Sequence, residues 1–156
     1  MYLTAVVLLM AVLPIASILA EAILARGGAD VPWLIGKWFV FWSVGVRLML
    51  AGLRQVFNPK FTAETIFGLK DEAALTIVRE LGFGNLSIGL LGLVSLPNPN
   101  WTVPAAVAGG LFYGLAGIEH LRHGELNAKE TVAMISDLFI CAILASFLAA
   151  FALRLA

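Results

Sequence analysis

The sequence predicts an all-α integral membrane protein with five transmembrane helices. Of its 156 residues, 61% are hydrophobic and 13% are charged, and the mean hydropathy is +0.96. A soluble domain is usually about 45–50% apolar and about 25% charged, so the bilayer is the expected solvent. A spanning helix needs about 20 mostly apolar residues. The segments that meet this need are Leu3–Leu24, Val31–Leu53, Ala73–Leu96, Val103–Leu121 and Thr131–Leu153.

The first segment has the features of a span rather than of a cleaved signal peptide. Ala20-Glu21-Ala22 resembles a cleavage site, but Met1–Ala20 carries no charge. A signal peptide needs a positive n-region and has a shorter apolar run. We therefore expect this segment to remain as span one.

Spans three and four form a tight hairpin. No charged residue lies between Glu80 and Glu119, and this run is too long for a single membrane helix. The stretch "PNPN" at Pro97–Asn100 divides it, because proline and asparagine in this density stop a helix and make a turn. The longest connection, Asn58–Glu72, is either a short interfacial helix or a plain loop.

Lysine and arginine counts predict an orientation with the N-terminus inside and the C-terminus outside. Cytoplasmic loops carry an excess of these residues. The second and fourth connections share a face with the N-terminus and carry Arg54, Lys60, Lys70, Arg122 and Lys129. The opposite face carries Arg26 and Arg154, with Lys37 nearby.

Four of the five spans bring ionisable groups toward the inner side of the bilayer. At about 1.5 Å per residue, those of spans two, three and five lie roughly 9–10 Å inside the inner boundary. An unpaired charge costs about 2.5–3.5 kcal/mol at a helix centre, so we expect these groups to face inward and pair. The layer comprises Arg47, Arg79, Glu80 and Asp137, with Glu119 and His120 nearer the boundary.

Three interpretations of this layer remain open. It is a structural clamp that fixes helix register, a proton or ligand site, or a set of interfacial charges whose arginines reach the boundary. Its two arginines and three carboxylates leave one negative charge, so the layer balances only by holding a proton, a cation or a charged His120. Candidate additional members are Tyr113, His123 and Asn85.

A second ion pair is expected at the outer ends of spans one and two. Glu21 and Lys37 lie on antiparallel neighbours joined by a short loop, so their side chains can meet. Small residues at Gly110–Gly114, in the pattern GxxxG, allow a close helix contact, either within one chain or between copies.

Several function classes find no support in the sequence. The net charge is zero, and no basic or aromatic patch suggests nucleic acid. The single cysteine, Cys141, excludes an internal disulfide and a cysteine-cluster metal site. Glu119 and His123 share one helical face, but the Glu-x-x-His spacing of helix-bundle di-iron sites is missing, so no metal site is predicted. No nucleophile elbow, P-loop or dinucleotide motif occurs, which favours a non-enzymatic protein.

Two motifs carry a family resemblance over about Trp38 to Leu153. "FWSVGVRLMLAGLRQVF" (Phe41–Phe57) followed by "ELGFGNLSIGLLGL" (Glu80–Leu93) resembles the DoxX-like group of small membrane proteins. The resemblance implies a four-helix unit over residues 31–156, with residues 1–30 as an added helix, in a single transmembrane domain. It marks Arg47, Glu80 and Asp137 as characteristic positions. The chain looks closer still to an uncharacterised bacterial family that shares "ELGFGN", "FYGLAG" and "VAMISDLF".

The resemblance implies fold better than function. DoxX-like proteins are linked to quinone-coupled sulfur oxidation, to redox-stress complexes and to unknown roles. The sequence itself requires no cofactor, so the cofactor is unknown, with a quinone or a lipid as candidates. Two functional hypotheses follow, both in the bacterial cytoplasmic membrane among its lipids. The first is an accessory or oligomeric subunit, as a homo-oligomer or within a larger membrane complex. The second is proton-coupled small-molecule transport or quinone-linked redox chemistry at the polar layer.

Overall fold

Five long helices form the protein within residues 2–66, 68–122 and 126–154, which the computed structural model describes. All five are long and apolar enough to cross a membrane, so the predicted all-α integral membrane fold is confirmed. We label them α1 (Tyr2–Leu24), α2 (Val31–Phe57), α3 (Glu72–Val94), α4 (Pro99–Arg122) and α5 (Ala128–Ala152).

Local capping residues set where three of these helices begin. The Asp30 carboxylate accepts a hydrogen bond from the Trp33 backbone N–H before α2, and Asp71 caps α3 in the same way. Before α5, Asn127 and Glu130 form a reciprocal capping box. These side chains satisfy backbone N–H groups that have no partner in the first helical turn.

The helix surfaces match a lipid environment. The central core contains fully buried Val40, Val44 and Ile140. Large apolar side chains face outward along every helix, and Ile23 and Ile77 are 75% and 67% exposed. A soluble protein rarely exposes apolar surface on this scale, whereas hydrocarbon solvates it.

Glycines bring α2 and α3 into backbone contact. A methyl group added at Gly92 would lie 2.4 Å from the Gly45 nitrogen, and one at Gly52 would lie 2.8 Å from the Gly82 carbonyl oxygen. Small residues allow membrane helices to approach this closely. The predicted GxxxG unit also packs inside the chain, since a methyl group at Gly114 would lie 2.9 Å from a sulfur atom of α5.

Two π-helical turns face each other in α1 and α2, at Leu8–Val12 and Val40–Val46. A π turn shifts the backbone hydrogen-bond pattern, and such turns frequently occur at functional sites. The Ser43 hydroxyl donates to the Leu9 carbonyl at 3.2 Å, and the Ser43 carbonyl accepts from the Tyr113 hydroxyl. The second π turn ends directly before Arg47, so it lies beside the polar groups described below.

At one end of the bundle, α3 extends past α2. We name this end the basic end after Arg54, Lys60 and Lys129, although it also carries acidic residues such as Glu72 and Glu119. Gly82 packs against the last turns of α2. The first eight or so residues of α3, which begins at Glu72, therefore lie beyond the end of α2. A short π-helical turn, Phe61–Ile66, covers this extension through a small cluster of Ala63, Ala74 and Val78. The connection predicted as either a helix or a loop therefore contains this one helical turn.

Candidate functional site

Three side chains from three helices meet inside the bundle. The Arg47 guanidinium donates to the Tyr113 hydroxyl at 3.2 Å and to the Asp137 carboxylate at 3.5 Å. Tyr113 is fully buried, and its ring lies 5.3 Å from the guanidinium carbon. Tyr2 of α1 packs against the same core. The cluster of Arg47, Tyr113 and Asp137 joins α2, α4 and α5.

The contact between Arg47 and Asp137 is long for a buried ion pair. Charge-assisted N–H···O bonds are usually about 2.7–2.9 Å long, and this one measures 3.5 Å. The two side chains are only 16% and 9% exposed. A carboxylate with two oxygens accepts about four hydrogen bonds, so Asp137 retains capacity for a donor from another molecule.

A cavity of about 430 Å³ opens beside this cluster. All five helices and the Phe61–Ile66 turn contribute to its wall. Most of the wall is apolar, and its exposed members Leu50 and Leu115 face the surroundings of the bundle. Small-molecule sites are usually clefts of about 300–1,000 Å³ with an apolar lining and a few polar groups, and this cavity has both properties.

The polar groups of the cavity lie at two levels. Arg47 and Asp137 form the deeper level. Toward the basic end the wall contains the Gln55 and Asn85 side chains, whose amides bond to each other at 2.7 Å. Arg54 and His120 lie at that end as well, and the Arg54 guanidinium stacks 3.5 Å from the Phe61 ring centre.

Some of the residues predicted for a polar layer reach the cavity, and others do not. Arg47, Asp137, His120 and Asn85 line it, and Tyr113 contacts Arg47 from the adjoining core. Arg79, Glu80 and Glu119 are exposed on the outside of the bundle. Glu119 pairs with Arg122 at 3.8 Å on that surface.

The expectation that Arg79 and Glu80 face inward beside Arg47 is therefore wrong for this geometry. That expectation places the end of span two, at Leu53, and the start of span three, at Ala73, on the same boundary. Helix α2 instead runs to Phe57, and α3 extends beyond it. Glu80 thus lies level with the last turn of α2, about 15 Å along the helix axis from Arg47. At this level the buried face of α3 carries Val78 and Gly82, so Arg79 and Glu80 point away from the bundle.

The opposite end of the bundle carries two ion pairs. Lys37 Nζ lies 2.7 Å from Glu21 Oε2, and the Trp38 indole N–H donates to the same carboxylate at 2.8 Å. Arg154 holds Asp30 with two hydrogen bonds. These bonds lower the pKa of the Asp30 carboxyl and raise the pKa of the Arg154 guanidinium.

Sequence reasoning missed Gln55 and Tyr2 as site residues. Gln55 is uncharged, and its amide has no distinctive spacing from Asn85 thirty residues away. Tyr2 lies at the start of an apolar helix, where it resembles an interfacial aromatic residue. In the sequence, Arg54 contributes only to the count of loop charges. Within the described ranges, no group of three or more His, Cys, Asp or Glu side chains is placed to hold a metal ion, and His123 lies outside those ranges.

Comparison with known proteins identifies a family without an assigned activity. No curated protein and no solved structure matches the chain. The resemblance to the DoxX-like group stays a prediction, while the expected membership of a family of unknown function is confirmed. The match extends over residues 1–156, and the chain thus belongs to the family of unknown function DUF6790.

Proposed function

We propose that this integral membrane protein binds an amphiphile, whose oxygen-bearing head group lies beside Arg47 and Asp137. The observation that carries the proposal is the 430 Å³ cavity, which combines a buried arginine and carboxylate with a mainly apolar wall. The protein acts as a ligand-holding membrane subunit, with no catalytic step. Whether it assembles with copies of itself or with other subunits stays a prediction.

The buried cluster of Arg47 and Asp137 has spare hydrogen-bonding capacity for the head group of the ligand. A guanidinium presents five N–H donors, and its bond to Asp137 is long. A carboxylate, phosphate or carbonyl oxygen of a ligand accepts from Arg47, while a ligand hydroxyl donates to Asp137. Arg47, Arg54 and Asp137 sum to one positive charge when His120 is neutral. This balance favours an anionic head over a cationic one.

The apolar wall of the cavity suits the hydrocarbon chain of the amphiphile. Leu50 and Leu115 line the cavity and are 53% and 59% exposed. They lie where the cavity meets the lipid, so an acyl or isoprenoid chain passes between the bundle and the bilayer without entering water. An isoprenoid quinone also fits this site, because its carbonyl oxygens accept hydrogen bonds from Arg47 and its chain is apolar. Proton-coupled transport is the other alternative, and it would use the same cavity, with Asp137 carrying the proton.

Photolabelling of the full chain in phosphatidylcholine nanodiscs tests the proposal. The probes are palmitic acid and hexadecanol, each carrying a diazirine in the chain. Saturable labelling should map to helix segments that line the cavity, and free palmitic acid should compete. A decyl-benzoquinone competitor reports whether a quinone occupies the same place. Labelling by the acid but not by the alcohol identifies an anionic head.

A cavity-filling variant provides the control. In Ala116→Phe, a ring from α4 occupies part of the cavity, whereas Ala145→Phe places the same ring on the exposed side of α5. We expect labelling to fall about tenfold in the first variant, a loss of about 1.4 kcal/mol, and to persist in the second. Equal labelling in the wild type and both variants, at equal thermal stability, would refute the proposed site.

A further inference from the structure

The buried amide pair at the basic end of the cavity has an unsatisfied acceptor. Asn85 Nδ2 donates to Gln55 Oε1, and the two residues are 3% and 8% exposed. Asn85 Oδ1 is buried and has no hydrogen-bond partner among the described residues. Buried polar side-chain atoms nearly always have a partner, so this oxygen points to a donor that the chain itself does not supply.

The distance between this acceptor and Arg47 follows from the position of Gln55, the bonded partner of Asn85. Arg47 and Gln55 are eight residues apart on α2, which is about 12 Å along the helix axis. Between these levels the cavity wall of α2 is apolar at Leu48 and Ala51. The cavity is therefore polar at both ends and apolar in the middle.

We propose that the ligand carries a second polar group, a hydrogen-bond donor such as a hydroxyl, which binds Asn85 Oδ1. This inference rests on the proposed function, because it takes the head group at Arg47 as the first anchor. The second group lies about 12 Å from the first along the cavity. The ligand class is thus an amphiphile with polar groups at both ends of a short apolar segment.

The same arrangement predicts discrimination against simpler amphiphiles. A chain that ends in a methyl group leaves the Asn85 acceptor buried and without a partner. A site built to bond a hydroxyl rejects an analogue that lacks one, because its own buried polar groups then stay unpaired.

Two acids that differ in one hydroxyl group test the inference. Decanoic acid and its ω-hydroxy derivative compete against the photoreactive palmitic acid in nanodiscs, with each concentration corrected for partition into protein-free discs. We expect the ω-hydroxy acid to compete about tenfold better, the effect of one buried hydrogen bond. The ω-hydroxy derivative of hexanoic acid, which is too short to span the two levels, should show no gain over hexanoic acid.

The variant Gln55→Leu/Asn85→Leu removes both amides, so neither is left alone in the core. We expect it to lose the preference for the hydroxyl group, so that decanoic acid and its ω-hydroxy derivative compete equally in this variant. If decanoic acid and its derivative compete equally in the wild type, a second polar group is refuted while the proposed function stands. If neither acid competes, the proposed function fails first. The comparison of the ten-carbon and six-carbon acids uses the wild type alone. It therefore tests the second polar group even if the variant does not fold.

Discussion

Replacing Gly92 by alanine tests the backbone contact between α2 and α3, which sets the register of the cavity wall. The added Cβ would lie 2.4 Å from the Gly45 nitrogen and 2.6 Å from its Cα. Ordinary contacts of a Cβ atom begin at 3.4 Å. Since both obstacles are backbone atoms, no rotamer change relieves the clash, and the helices must separate by about 1 Å.

The expected effect on stability is the difference of two opposing terms. Alanine favours a helix over glycine by up to about 1 kcal/mol. Overpacking a close contact costs about 1–3 kcal/mol, and a rigid backbone contact lies at the upper end of that range. Gly92→Ala should therefore lower the free energy of unfolding by about 1–2 kcal/mol. Gly84→Ala, in the same helix but with no atom within 4 Å of the new methyl group, should leave it unchanged or raise it.

The measurement is a reversible SDS titration in bicelles, followed by far-UV circular dichroism. Both variants lie in α3 and change one glycine to alanine, so effects of composition and detergent affinity cancel. If Gly92→Ala proves at least as stable as Gly84→Ala, α2 and α3 do not approach as closely as described. The alignment that places Gln55 opposite Asn85 would then be refuted as well.

Charge removal and the loss of a helix cap have three further measurable effects. Asp137→Asn should lower the free energy of unfolding in the same titration by about 3 kcal/mol. This is the lower end of the range for breaking a buried ion pair, because the bond to Arg47 is long. The double variant Arg47→Gln/Asp137→Asn should lower it by less than either single change, and additive losses would contradict the pairing. Hydrogen bonds from Arg154 hold the pKa of Asp30 below its ordinary value of 3.8, so their stabilisation is complete above that value and disappears as the pH falls through the lower folded-state pKa. Asp30→Asn keeps the helix cap, and its Tm should lie below that of the wild type near neutral pH but coincide with it in strong acid; a gap independent of pH would rule this out. Asn127→Ala removes the capping box of α5 and should lower the free energy of unfolding in the SDS titration by about 1 kcal/mol. An unchanged free energy of unfolding would mean that the cap contributes nothing to stability.

The spans and part of the site follow from the sequence because hydropathy and charge are local signals. Each of the five runs is long enough to span hydrocarbon, and the ends differ from the structure by only a few residues. Arg47 and Asp137 are expected to pair for the same reason, since a charge deep in an apolar helix needs a partner. In the structure these two residues do contact each other.

The relative height of neighbouring helices has no such local signal. Glu80 lies eight residues from the start of α3, and Asp137 lies nine residues from the start of α5. Glu80 is exposed because it lies off the buried face of α3, which carries Val78 and Gly82, and α3 is offset along its axis so that it extends past α2. That offset is fixed by tertiary contacts of Gly45 and Gly92, which sequence periodicity alone does not pair. The bond between Gln55 and Asn85 depends on the same offset, so it also requires the folded structure.

The two hydrogen bonds between Arg154 and Asp30 form late in folding, because they join the last helix of the chain to the second. These residues are 124 positions apart, and they join the start of α2 to the end of α5. Near them, the Phe147 ring of α5 lies against Gly36 of α2, so closely that a methyl group there would overlap it. During synthesis α1 and α2 enter the membrane long before α5 is made. The cavity, whose wall includes Asp137 of α5, is therefore complete only when the final helix docks onto helices that are already in place.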